Sequence, residues 1–413
     1  MLGWFAELTT TERKTFWACF GGWALDAMDV QFYSFTIPTL IATWGLSRGQ
    51  AGLLGTSTLL ISALGGWLAG LLADRVGRVR TLQITILWYA GFTFLSGLTQ
   101  NFEQLLVTRG LMGLGFGGEW AAGAVLMGEM IRAEHRGKAV GSVQSGWAIG
   151  WGVSAILYGI LFNVLPEATA WRVLFIVGVL PAVLVFFLRK HVPEPEVFAA
   201  TQSRIAQGAA KPSLGAIFSP GLLRTTVLAS LLATGAQGGY YAITNWLPTY
   251  LKTVRHLSVL NTTGYLVVVI IGSFVGYIVG AYLTDRLGRR NCFFLFAICC
   301  FLIVIAYTYL PISDAVMLVL GFPLGFFVSG IFSGMGAFFT ELFPTQMRGS
   351  GQGFAYNFGR GVGALFPSLV GYLSQAMPLG QAIGIFAAIA YAVLFLAALL
   401  LPETRGKQLA AYG

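Results

Sequence analysis

Charge is what this sequence has least of. Of its 413 residues only 10% are Asp, Glu, Lys or Arg, against about a quarter in an average soluble domain. So few charges cannot cover the surface of a water-soluble chain of this length, which excludes an ordinary cytosolic enzyme. Histidine is scarcer still, with His135, His191 and His256 only. The four cysteines, Cys19, Cys292, Cys299 and Cys300, all fall in or beside apolar runs. No pair has metal-ligand spacing with a histidine nearby, so neither a zinc site nor a disulfide framework is expected. A phosphate loop is missing too. The run Gly113-x-Gly115-x-Gly117-Gly118 lies inside an apolar stretch with no strand before it and no Gly-Lys-Ser/Thr. It reads as close helix packing. No cofactor and no metal is expected, and energy should come from an ion gradient.

Apolar sequence is what abounds: 56% of residues are hydrophobic and the mean hydropathy is +0.75. A membrane-crossing helix needs about 20 mostly apolar residues. Twelve such runs can be read, at 16–44, 51–73, 81–100, 104–128, 138–164, 171–190, 222–251, 262–284, 291–310, 314–339, 349–375 and 380–401. The first follows Arg13 and Lys14 and is too long for a cleavable signal peptide. The fold class expected is therefore an all-α membrane protein with 12 transmembrane helices.

The basic residues set its orientation. Of 25 Lys and Arg, 19 fall in the segments that return to the N-terminal side. Four (Arg48, Arg172, Lys252 and Arg255) fall on the other side, and two (Arg109 and Arg360) inside spans. Positive loops stay inside, so both termini are expected in the cytoplasm. The net charge of +9 then reports topology rather than a nucleic-acid partner.

The chain also repeats itself. Asp74-Arg75-Val76-Gly77-Arg78 follows span 2 and Asp285-Arg286-Leu287-Gly288-Arg289 follows span 8, an offset of 211. Glu129 with Arg136-Gly137 follows span 4, and Glu341 with Arg348-Gly349 follows span 10, at an offset of 212. Two landmarks at one offset indicate duplicated six-span halves: 1–190, and 221–413 beyond a 191–220 linker with Pro193, Pro195 and Pro212. Duplicated halves are typical of secondary transporters, whose site lies between the halves near mid-membrane.

These loops resemble those of the major facilitator superfamily. Its 2–3 loop signature reads Gly70-x-x-x-Asp74-Arg75-x-Gly77-Arg78 here, with Ala281 in place of the first glycine in the second copy. Arg109-x-x-x-Gly113-x-x-x-Gly117 is similar to its span-4 motif. The resemblance implies two pseudo-symmetric six-helix bundles working by alternating access. Pro402-Glu403-Thr404-Arg405-Gly406 resembles the ending of sugar porters and their organic-acid relatives, and Pro193-Glu194-Pro195 echoes it. Independently of the name, Asp74 at a helix end can accept charge-assisted bonds from arginines or from another helix N-terminus. The expected latch set is Gly70, Asp74, Arg75, Gly77, Arg78, Glu129 and Arg136, with Asp285, Arg286, Gly288, Arg289, Glu341 and Arg348 as counterparts.

Ionisable groups within spans are costly and mark function by default. Asp26 and Asp29 share one face of span 1 by their i,i+3 spacing. Paired carboxylates in a low-dielectric site hold protons more readily, which suits proton coupling. Leu25-Asp26-Ala27-Met28-Asp29 is similar to the span-1 motif of aromatic-acid:proton symporters, with Ala27 where glycine is usual, and to the Asp-containing first spans of sialate and lactate symporters. Glu119, about 15 Å deeper than Arg109 along span 4, is either a second proton site or a structural partner. Arg109 either holds a carboxylate bidentately or snorkels to the interface.

Arg360 is the sharper cation. Mid-span, with Gln352, Tyr356 and Asn357 on its face, it needs an anionic partner, either a substrate carboxylate or a permanent ion pair with Asp26, Asp29 or Glu119. The matching arginine of aromatic-acid symporters implies that this partner is substrate. Span 7 aligns Gln237, Tyr240, Tyr241, Thr244 and Asn245, and span 5 aligns Gln144, Trp147 and Trp151. Proton coupling is thus expected at Asp26, Asp29 and Glu119. Substrate binding is expected at Arg109, Gln144, Trp147, Gln237, Tyr240, Tyr241, Asn245, Tyr356, Asn357 and Arg360. The offset pairs Asp26 with Gln237 and Asp29 with Tyr240, acids facing neutral groups.

The expected function is proton-coupled uptake of an organic acid anion, an aromatic acid or a mono- or dicarboxylate such as muconate, by a monomer in a bacterial inner membrane. A sugar or sialate symporter is the alternative. Gly235-Ala236-Gln237-Gly238-Gly239-Tyr240 does not match the sugar porters' span-7 pattern. Span 5 lacks the proline of drug antiporters.

Overall fold

In the computed structural model, residues 3–46, 48–207, 215–247, 250–251, 254–256, 259–407 and 409 are described. Pro212 and Lys252 of the sequence reading, and the side chain of Arg48, lie outside them. Helices dominate, and among the described residues there is no strand. Span 1 is Thr10–Trp44, span 2 Arg48–Val76, span 3 Arg78–Leu98 and span 4 Phe102–Met130. Span 5 runs Arg136–Val143 and on through Gly146–Val164; span 6 runs Glu167–Val177 and Val179–Lys190. In the second half, span 7 is Pro220–Thr244, span 8 Val259–Leu287 and span 9 Arg289–Tyr309. Span 10 joins Asp314–Gly330 to Met335–Leu342 through a 3-10 turn at Ile331–Gly334. Span 11 is Arg348–Gly363 followed by Phe366–Leu373, and span 12 is Leu379–Leu400.

Local chemistry fixes several helix starts. Thr9 opens span 1 with a capping box: its hydroxyl accepts from the Glu12 N–H at 3.2 Å, and Glu12 accepts from the Thr9 N–H at 2.7 Å. Asn101 caps span 4 through Gln104 N–H at 2.9 Å. The 191–220 linker carries a helix of its own, Glu196–Ala206, started after Pro193 and Pro195 where the missing N–H does no harm.

Seven of these helices are long and apolar enough by composition alone to cross a membrane, in spans 2, 3, 5, 8, 9, 10 and 12. Span 6 is broken into two short helices, and spans 1, 4, 7 and 11 carry the acids, arginines, amides and glycines singled out above. Those groups are turned inward: Asp26, Asp29, Arg109, Glu119, Gln237 and Arg360 are all buried. Large apolar side chains such as Ile156, Leu180 and Val319 stand exposed instead, as lipid contact requires.

Spans 2 and 4, and 8 and 10, pack as repeat-equivalent pairs within their halves. Between the halves, span 2 lies along span 11 and span 5 along span 8. Both cross-half seams close the face that holds the linker.

Candidate functional site

Two mirrored charge clusters seal the linker face. In the first, the Asp74 carboxylate accepts from the backbone N–H groups of Gly349 (3.1 Å) and Ser350 (2.8 Å) and from the Ser350 hydroxyl (2.6 Å). An acid of the first half thus caps the N-terminus of span 11 in the second, where the helix dipole favours negative charge. Arg78 pairs with Asp74 at 3.2 Å and with Glu129 at 2.9 Å, and Glu129 also holds Arg348 at 2.5 Å. In the second cluster Asp285 accepts from the Lys138 N–H at 2.8 Å, capping span 5, and pairs with Arg289 at 2.6 Å. Arg289 meets Glu341 at 2.8 Å, and Arg136 meets it at 3.3 Å.

Each cluster is braced by one more acid. Glu194 of the linker accepts from the N–H groups of Arg78, Val79 and Arg80 at 2.7, 3.0 and 3.1 Å. Glu403 of the tail does the same for Arg289 and Arg290 at 2.9 and 3.0 Å. The turns that allow this require glycine, for Gly77 has φ 113° and Gly288 has φ 97°. Gly70 meets the Gly349 carbonyl so closely that a Cβ would overlap it. Arg75 and Arg286, expected in the latch, are instead solvent-exposed and make no ion pair among the described residues. They follow the acid by one position, and the helix turns them away from the seam.

A cavity of about 350 Å³ lies between the halves, lined by Val30, Tyr33, Thr58, Arg109, Asn245 and Ser368 among others. Tyr241 lines it and also a smaller inner chamber of about 30 Å³. That chamber is walled by Trp23, Gln144, Trp147, Gln237, Tyr240, Tyr241, Tyr277, Phe332, Tyr356 and Arg360. Ring centroids of Trp23 and Trp147 are 5.1 Å apart, Trp23 and Trp120 4.9 Å, Trp120 and Tyr356 4.9 Å, and Tyr240 and Phe332 5.5 Å. The chamber is an aromatic box.

Arg360 is its one cation among the described lining residues. It is 2% exposed, and among the described residues it forms no ion pair and its Nε and Nη1 have no hydrogen-bond partner. Its guanidinium stacks 4.5 Å from the Phe116 centroid and 5.2 Å from that of Tyr356. Among the described residues no ion pair joins it to Asp26, Asp29 or Glu119. Arg109 differs. It is buried rather than snorkelling, pairs with Asp29 at 2.6 Å and stacks on Tyr33 and Phe175. Asp29 also accepts from Thr93 at 3.0 Å.

The structure thus brings together Gln144, Trp147, Gln237, Tyr240, Tyr241, Tyr356 and Arg360 in one chamber. Asn245 and Arg109 line the wider cavity. Asn357 does not reach either; its amide donates to Gly117 and Gly353 carbonyls at 3.3 and 3.0 Å and ties span 11 to span 4. Asp26 and Glu119 are buried beside the box rather than in its lining. Trp23, Phe332 and Tyr277 of the lining and Phe116 under the guanidinium were not expected from the sequence. Trp23 and Phe116 lie one turn before Asp26 and Glu119 on the same faces, and Phe332 is the repeat-equivalent of Trp120. Tyr277 carried no such signal.

Twelve helical spans, with mirrored charge clusters on the linker face and a cavity between the two halves, have the plan of a multi-pass membrane transporter of solutes, not an enzyme. The profile of the Major Facilitator Superfamily matches residues 19–319, and the chain belongs to that superfamily. It is 44% identical to a probable 4-methylmuconolactone transporter of Cupriavidus pinatubonensis over 98% of this chain and 94% of that one. It is 34% identical to a cis,cis-muconate transport protein of Acinetobacter baylyi over 90% and 89% respectively. The solved proton:xylose symporter XylE superposes with a TM-score of 0.80 over 97% of this chain and 98% of that one, at 19% identity. That likeness is one of fold.

Proposed function

We propose that the protein is a proton-coupled symporter that takes up an organic acid anion, an aromatic acid or a muconate-type product, across a bacterial inner membrane. The linker face and both termini are cytoplasmic in this reading, which rests on the excess of Lys and Arg there. The observation that carries the substrate class is Arg360: a buried guanidinium without a protein anion, stacked in an aromatic box. An unpaired buried charge is costly, and a cargo carboxylate supplies the missing partner, the chamber of about 30 Å³ widening so that the flat carbon skeleton lies between Trp23, Trp147 and Tyr356. The names of the relatives, muconate and 4-methylmuconolactone transporters, support the same class.

The coupling residue is Asp29. A proton on Asp29 removes the counterion of Arg109 and loosens the tie between spans 1 and 4. Asp26 and Glu119 supply further buried acids on those two spans. The domain division at the linker follows, with proton-bearing acids in 1–190 and the anion grip in 221–413. The clusters around Asp74 and Asp285 serve as latches that hold the cytoplasmic face closed.

The test is uptake by reconstituted protein of benzoate, hydroxybenzoates, protocatechuate, muconate, muconolactone, lactate, sialate and glucose, with and without an inward proton gradient. Accumulation of an acid driven by the gradient and lost in Arg360→Ala is expected. Glucose or sialate flux without acid uptake would favour the sugar-type reading instead.

A further inference from the structure

We infer that Gln144 is the residue by which the chamber tells one carboxylate from two, and that the cargo carries a single carboxylate. This rests on the reading of Arg360 as the anion grip. Gln144 and Tyr356 are repeat-equivalent, 212 residues apart in spans 5 and 11, so Gln144 and Arg360 enter the chamber from opposite halves. Gln144 is 1% exposed. Its Nε2 donates to the Phe332 carbonyl at 3.2 Å, which fixes the amide orientation. Its Oε1 is left buried without a hydrogen-bond partner. Across from the guanidinium the chamber therefore presents an acceptor. A hydroxyl can donate to it, but a second carboxylate would set lone pair against lone pair.

The rest of the lining offers that second carboxylate no cation. Gln237 spends its Nε2 on the Tyr356 carbonyl at 2.7 Å, and Trp23, Trp147, Tyr240, Tyr277 and Phe332 are uncharged. The nearby acids Asp26 and Glu119, on the same spans as Trp23 and Trp120, offer a second carboxylate no positive partner. Arg109 is held by Asp29 outside the chamber. A buried carboxylate without a cation is strongly disfavoured, so selection is against the dianion rather than merely for the ring.

Muconate and muconolactone are isomers that differ by one carboxylate, since lactone closure consumes the second. Initial uptake rates of each, measured on the reconstituted full-length protein at neutral pH, read the selection directly. The wild type is expected to favour muconolactone at least tenfold in kcat/KM. Gln144→Lys, which places a cation opposite Arg360, is expected to move that ratio at least tenfold toward muconate. Gln144→Met, which removes the acceptor at similar volume, is expected to relax the ratio without reversing it, and stands in if the lysine variant does not fold. A wild-type preference for muconate overturns this inference and leaves the organic-acid reading standing. An unchanged ratio in both variants overturns it as well. Uptake of neither isomer, nor of any other acid, overturns both.

Discussion

In the proposed symport, proton coupling turns on the buried pair of Asp29 and Arg109. They are 2.6 Å apart and hidden from solvent, so removing the charge from one strands the other at a cost of roughly 3–5 kcal/mol. Asp29→Asn mimics the protonated state permanently. It is predicted to abolish gradient-driven accumulation while exchange of labelled for unlabelled anion stays within about tenfold of wild type. Counterflow and net uptake on the same vesicles check this, and retained accumulation would contradict it. The carboxylates themselves were legible in the sequence, because charge inside an apolar run stands out without any structure. The pairing was not, since Asp29 and Arg109 are 80 positions apart and only helix packing decides whether an arginine near a helix end snorkels or turns inward. Here Tyr33 and Phe175 cover it.

At the scale of the element, one acid starts a helix of the opposite half. Asp74 makes three hydrogen bonds to the beginning of span 11, each charge-assisted bond being worth about 1.5–3 kcal/mol. Asp74→Ala is predicted to raise the population open on the linker face at least tenfold. Spin-label distances between the linker-side ends of spans 2 and 11 should lengthen and broaden, and an unchanged distribution would remove Asp74 from the latch. Gly77→Ala should destabilise the protein by about 1–3 kcal/mol, because φ 113° is outside the range of L residues and the added Cβ would overlap the Glu194 carboxylate. Thermal unfolding in detergent measures this. The two acid-and-glycine loops were readable from sequence because their chemistry is local and repeated. The breaks within spans 5, 6, 10 and 11 were not, since apolar sequence continues straight through Ser145, Gly178 and Gly334, and Ala364 is an ordinary helix former. Nor did sequence distinguish Asp74 from Arg75 as latch members, for facing depends on where the helix ends.

For the whole molecule, the proposed transport by alternating access makes the sealed linker face and the cavity opposite one state of the cycle. Ser368→Cys, on the cavity wall, is predicted to react with an impermeant maleimide added outside cells, well above the wild-type background. Ser142→Cys, buried at the span 5–8 seam, should be protected until the linker face opens. The reverse pattern would mean that the resting protein faces inward. The twelvefold plan and the duplicated halves were visible because apolar length and a fixed offset survive without knowledge of packing. The aromatic box was only half visible: Trp147, Tyr240, Tyr241 and Tyr356 fell on polar faces, whereas Tyr277 meets them only through the way span 8 crosses the chamber.

The central claim is that anion and proton enter together through one site, and substrate-driven proton movement tests it most directly. Reconstituted vesicles loaded with a pH-sensitive dye, with no imposed gradient and the membrane potential clamped, would receive the transported acid from outside at a pH where it is fully ionised. The account predicts acidification of the interior that is lost in both Asp29→Asn and Arg360→Ala. Uptake of the anion with no acidification, or acidification that survives Arg360→Ala, would contradict it.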